Sequence, residues 1–175
     1  LHSQHVAGWF LMEVVMRLTS TLLAWLFVLC VGCDVQEKIP TLLSPTDPGL
    51  AKEINIYRIE RHRYTLQFDS SLQKAAQRQA DDMAKHNHLD HKGSDGSSFF
   101  QRAEDAGFPM IAGGEIIASV DGDNNGDNKR VIGNKEAVEM WKKSAGHNEI
   151  MLSKKYIYFG TAVSGRYACA VFGNK

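Results

Sequence analysis

The chain has few cysteines, no charge bias and no apolar run of membrane-spanning length, and each shortage removes a class of answers. Two of its three cysteines, Cys30 and Cys33, belong to the hydrophobic N-terminus. Cys169 is then the single thiol of the folding part, so no intramolecular disulfide staples it. The core must hold by burial alone, and about 125 residues is long enough for that. Lys plus Arg equals Asp plus Glu at 20 each. A neutral chain has no sequence-wide electrostatic footprint for DNA or RNA, and no nucleic-acid partner is expected. No Gly-x-Ser-x-Gly elbow surrounds any serine, which argues against a hydrolase of that nucleophile type.

What is present begins with an address. Residues 18–31 form an almost wholly apolar stretch of 14, preceded by Met16-Arg17. A comfortable membrane helix needs about 20 residues, so this length fits a secretory signal. The stretch closes on Val31-Gly32-Cys33, which resembles a bacterial lipobox. Cys33 is the expected lipidation site and would tether the protein to a membrane. Cys30 stands where such signals usually carry Leu. Asp34 resembles the signal that keeps lipoproteins in the inner membrane of enteric-type bacteria, facing the periplasm. The expected organisation is an upstream extension over residues 1–15, a signal over 16–32, a tether over 33–48 and one domain over 49–175.

Within that domain, Asp47-Pro48 predicts a helix start with Leu50, Ile54 and Tyr57 on one face and Arg61 at its edge. Ser70 and Gln73 predict a capping box for a second helix, whose Leu72, Ala76, Ala80 and Met83 form a stripe. Its many alanines predict close packing on a sheet. Residues 99–106 read as a short helix stopped by Gly107 and Pro109, and residues 115–120 as a strand. Asn134 is a cap for a helix carrying Val138 and Trp141, and Ser144 a cap for another reaching Leu152. Residues 156–163 and 166–172 predict two strands joined at Ser164-Gly165. This order predicts an α+β domain with helices covering a small antiparallel sheet.

His91, Glu115 and His147 are the candidate functional residues, because two imidazoles and a carboxylate bind metals or exchange protons near neutral pH. With Ser144 as cap, His147 is the third residue of its helix, where the dipole disfavours imidazolium. Two His and one carboxylate form a zinc-type ligand set with an open position. Each has a plainer reading: a packed His at a helix start, a solvated His at a helix end, a carboxylate anchoring a loop. His86 and His88 stand close to His91 but beside a helix terminus, which makes a local three-His site the weaker reading. Arg102 reads as structural, paired with a nearby acid. Ser144 as a nucleophile is disfavoured by its expected capping role, and Cys169 reads as a buried small hydrophobe. Asp121, Asp123, Asn125 and Asp127, with Gly126 at the sixth position, match the first half of a calcium loop. Lys129 and Ile132 occupy the ninth and twelfth positions, so the second half fails and calcium is a weak candidate.

The order of these elements resembles the bacterial branch of the CAP superfamily (cysteine-rich secretory proteins, antigen 5, pathogenesis-related 1). A helix leads to a His before a Gly-containing turn. Arg102, a Gly-Glu strand, Trp141 and Ser144-x-x-His147 follow, over roughly residues 49–173. The resemblance implies an α-β-α sandwich in which His91, Glu115 and His147 face one cleft. Ile116 departs from the Asn usual after that Glu. The second acid carried by eukaryotic relatives just after the Trp is also missing. Lys142 and Lys143 stand there, and Glu139 falls two residues too early. The expected function is a membrane-tethered extracytoplasmic binding or interaction module whose His/Glu cleft takes a small ligand, lipid, peptide or metal, with the membrane and a small ligand or envelope protein as partners. The rivals are a metal-assisted peptidase, with zinc held by His91 and His147, and a non-catalytic envelope scaffold.

Overall fold

A computed structural model of the protein describes residues 48–122 and 130–175. The chain enters at Pro48, whose carbonyl accepts from Lys52 N–H at 2.9 Å to open α1 (Gly49–Glu60). The expected cap Asp47 lies outside the described residues. Leu50, Ile54 and Tyr57 are buried as their spacing requires, and the Arg61 guanidinium lies 5.3 Å from the Tyr57 ring. Two polar residues, Asn55 and Arg58, are buried on the same helix. Asn55 exchanges two hydrogen bonds with the backbone of Leu66 at 2.8 and 3.0 Å.

β1 (Gln67–Phe68) leads into α2 (Ser70–His86). Its cap is Asp69, one residue before the expected Ser70, and the carboxylate accepts from Ser71 and Leu72 N–H at 2.8 and 3.2 Å. A carboxylate at the positive helix end also favours the macrodipole. Asn87 ends the helix in the left-handed conformation, φ 51°. The Leu72, Ala76, Ala80, Met83 stripe is buried. α3 (Phe99–Asp105) and β2 (Ala112–Ser119) follow. α4 (Asn134–Lys143) is capped at Gly133, so Asn134 is its first residue. α5 (Ala145–Leu152) starts after Ser144, whose side chain makes no capping hydrogen bond. β3 (Tyr158–Ser164) and β4 (Tyr167–Asn174) form the hairpin. Its two-residue loop is Gly165-Arg166, one position later than expected, and Gly165 takes φ 53°.

The strands lie in the order β1-β3-β4-β2, with β3–β4 and β4–β2 antiparallel. β1 adds a two-residue parallel edge to β3 that no sequence pattern announced. Ile116, Ala170 and Phe172 face the core under α1, α4 and α5, while Ile117, Cys169 and Val171 face α2 and α3. Helices therefore cover both faces, which gives the α-β-α sandwich of an α+β domain. Among the described residues no helix is long and apolar enough to cross a membrane.

Three contacts shape this packing. β2 pairs with β4 on one side only, and side chains cover its other edge. Trp141 Nε1–H donates to Ile117 O at 3.0 Å and Tyr156 Oη–H to Gly113 O at 3.2 Å. Such covering blunts an edge against unwanted pairing. Under α2, a Cβ at Gly160 would collide with the backbone of Leu72 and Gln73. Backbone cannot rotate aside as a side chain can. Gly160→Ala should therefore cost about 3 kcal/mol, the top of the usual overpacking range. A denaturant midpoint unchanged from wild type would show that α2 has room to lift.

Candidate functional site

The site starts where α2 ends. The loop 91–98 folds back beside the helix through Asp82, which accepts from Ser94 N–H at 2.8 Å and from the Ser94 hydroxyl at 2.5 Å. Arg102 on α3 ties the loop down from inside. Its Nη1 donates to Ser97 O at 2.8 Å and its Nη2 to His91 O at 3.1 Å. The same Nη2 meets Glu115 Oε2 on β2 at 2.7 Å, with both side chains 1% exposed. The nearby acid expected for Arg102 is thus Glu115. The other carboxylate oxygen, Oε1, accepts from His91 Nδ1 at 2.9 Å. Cys169 Sγ lies 3.6 Å from Oε2.

Arg102, Glu115 and His91 therefore form a chain running from the core to the surface. Its outer end, the His91 side chain, is 53% exposed. With Nδ1–H donating to the carboxylate, neutral His91 has Nε2 free as an acceptor. This is the orientation a carboxylate partner gives an imidazole. Cys169 is buried, and burial followed by the Glu115 charge pushes its thiol well above the usual range. It is an inert small hydrophobe, as expected.

His147 is the third residue of α5, as its position after Ser144 predicts. Burial, and second the charge of His91, hold its pKa below the ordinary imidazole value. His91 moves the other way, because its hydrogen bond to Glu115 outweighs partial burial. The consequences for stability are opposite in sign. The His91 contribution is full below about pH 6.5 and is lost as pH rises through its raised pKa. The His147 contribution is full above about pH 6.5 and is lost as pH falls through its lowered pKa. A proton NMR titration should show His91 midway above about 6.5 and His147 below it, with Glu115→Gln lowering the His91 value. Coincident midpoints would remove the asymmetry.

The zinc-type set of two imidazoles and a carboxylate is not assembled. Both Glu115 oxygens are turned to His91 and Arg102. Among the described residues no group of three or more His, Cys, Asp or Glu side chains is arranged to hold a metal ion. His86 pairs with Asp82 at 3.1 Å and His88 with Asp90 at 3.6 Å, so the neighbouring histidines point to their own partners. A cavity of ≈ 160 Å³ lies between them, lined by Asp82, Met83 and loop residues 92–94. Of the calcium candidates, Asp121 is exposed, while Asp123, Asn125 and Asp127 lie outside the described residues, as does Cys33. Glu139 is occupied by Lys142 at 2.6 Å, so it does not replace the missing second acid. Ile116 is fully buried on the α1 side of the sheet, facing away from Glu115.

Residues 51–172 match the cysteine-rich secretory protein family, CAP, and the chain belongs to that family. It is 25% identical over 131 residues to the uncharacterized membrane protein YlbC of Bacillus subtilis, covering 75% of this chain and 35% of that protein. The chain thus spans about a third of that relative's length. Among solved structures it resembles an extracellular protein containing a SCP domain from Bacillus anthracis, at 20% identity and TM-score 0.61. That likeness covers 72% of this chain and 39% of the other. An outer surface protein of Borrelia burgdorferi matches at 21% identity and TM-score 0.59, covering 72% of this chain and 90% of its own. Likenesses of this identity establish the shared fold.

Proposed function

We propose that the protein is a membrane-tethered, extracytoplasmic CAP module. Its cleft at His91, Glu115 and His147 binds a small ligand, lipid or peptide without turnover. The commitment of Glu115 carries this reading. A carboxylate that accepts from a buried Arg102 and from His91 Nδ1 is a positioning group, and it offers no free oxygen to a substrate water. His91, oriented by Glu115, and His147 then act as hydrogen-bonding groups, one with a raised and one with a lowered pKa. Cys169 is buried with its thiol pushed well above the usual range, so it lacks the setting of a nucleophile. The rival is the metal-assisted peptidase, which needs the same side chains in a different arrangement. A scaffold with an inert cleft is the third reading.

The envelope location rests on the apolar stretch 18–31 and on Val31-Gly32-Cys33. Its relatives, a membrane protein, an extracellular protein and an outer surface protein, support it. Cys33→Ser should abolish acylation, and an unmodified mature N-terminus in the wild type would refute the anchor.

For the cleft, peptide and ester substrates should show no hydrolysis above background, with or without added zinc. A metal-dependent rate that disappears in both His91→Ala and His147→Ala, by about a hundredfold or more, would establish the peptidase instead.

A further inference from the structure

The turn after α1 and the C-terminal ends of α4 and α5 carry a charge that the rest of the chain balances out. Residues 59–64, 139–143 and 149–155 hold six Lys and Arg against three Glu, in a chain of net charge zero, and Arg58 is buried beneath them. Side-chain contacts join these segments into one surface. The Arg61 guanidinium and Lys142 Nζ lie 5.3 and 4.4 Å from the same Tyr57 ring. Arg63 Nε donates to Leu152 O at 3.2 Å, and Arg58 links Tyr64 O to Ser153 O at 2.9 and 3.0 Å. Among the described residues, the Lys142–Glu139 contact is the one ion pair on this surface.

At its tip stands Tyr64, 94% exposed. The turn that presents it is ordered by hydrogen bonds: His62 N–H to Ile59 O at 2.9 Å and Arg63 N–H to Arg58 O at 2.8 Å. His62 adopts φ 53°, a conformation uncommon outside glycine. The helix dipole accounts for Lys142 and Lys143 in the last turn of α4. It gives no reason for a wholly exposed aromatic, nor for Lys154 and Lys155 beyond the end of α5.

We propose that this basic surface docks on an anionic lipid membrane, with the Tyr64 ring in the headgroup layer. Tyrosine favours that layer because its ring is apolar and its hydroxyl is wet. The surrounding Lys and Arg are drawn to anionic headgroups within a Debye length. The proposal does not depend on the cleft reading. A tether would add to it by raising the local concentration of the surface.

The test uses the full chain reconstituted with vesicles of phosphatidylcholine alone or containing about one third phosphatidylglycerol. Hydrogen exchange is followed by mass spectrometry over residues 61–65. Exchange should slow about threefold or more with the anionic vesicles only, and recover in about 0.5 M salt. Lys143→Glu/Lys154→Glu/Lys155→Glu should abolish the slowing and Tyr64→Ser should weaken it, while thermal melting of both variants stays near wild type. Equal exchange with the two vesicle types overturns the proposal. Equal slowing by soluble polyglutamate also overturns it, since a lipid surface is then not what is recognised. A chain that fails to stay with neutral vesicles bears on the tether alone, because docking is read from the anionic arm.

Discussion

Arg102→Ala is expected to lower stability by about 3–5 kcal/mol, the usual effect of removing one partner of a buried ion pair. Melting temperature should fall by on the order of 10 °C. The substitution leaves Glu115, whose side chain is 1% exposed, with His91 as its remaining charged partner. It also removes the donors to Ser97 O and His91 O, which fix the loop that carries His91. A second variant separates the two effects. Arg102→Met/Glu115→Leu removes both charges together, and a buried pair replaced by apolar residues is often neutral. The double variant should regain much of the lost stability, while hydrogen exchange in residues 91–97 stays fast and the His91 pKa falls. If Arg102→Ala melts within about 2 °C of wild type, the pair is dispensable and Glu115 finds water or neutralises instead.

Trp141→Ala should cost about 3–5 kcal/mol, in the range of other fully buried aromatics. Its side chain is fully buried in the core between the sheet and α1, α4 and α5, and its indole N–H caps the β2 carbonyl of Ile117. Trp141→Phe keeps most of the packing and drops the hydrogen bond. It should cost about 1–3 kcal/mol through the carbonyl left without its donor. Equal denaturant midpoints for Trp141→Phe and wild type would show that the edge cap contributes nothing. A ratio near unity between the two variants would place the whole effect in the hydrogen bond.

The positions of most elements were legible in the residues because local physics places them. The Leu72 to Met83 stripe marks α2, and its alanines foretold the close approach to Gly160. The continuous apolar run of residues 167–172 marks a strand covered on both faces. The cap of α2 is Asp69 and not Ser70, because both are good caps and only backbone geometry chooses between them. Ser144 holds the cap position of α5 without the hydroxyl bond that its residue type predicts. β1 is not legible in the sequence because two residues carry no period.

Partners far apart in sequence were not legible. Arg58 sits on the inner face of α1, where spacing calls for an apolar residue, because it reaches the carbonyl oxygens of Met151 and Ser153, more than 90 residues away. The sequence by itself determined the α+β class, through hydrophobic period and element order, and its motif order carried the resemblance that implied the family, the sandwich and the three candidate side chains. Only the tertiary structure decided what Glu115 does. A carboxylate free to face solvent can ligate or take a proton, whereas one buried between Arg102 and His91 has both oxygens spent on holding its neighbours in place.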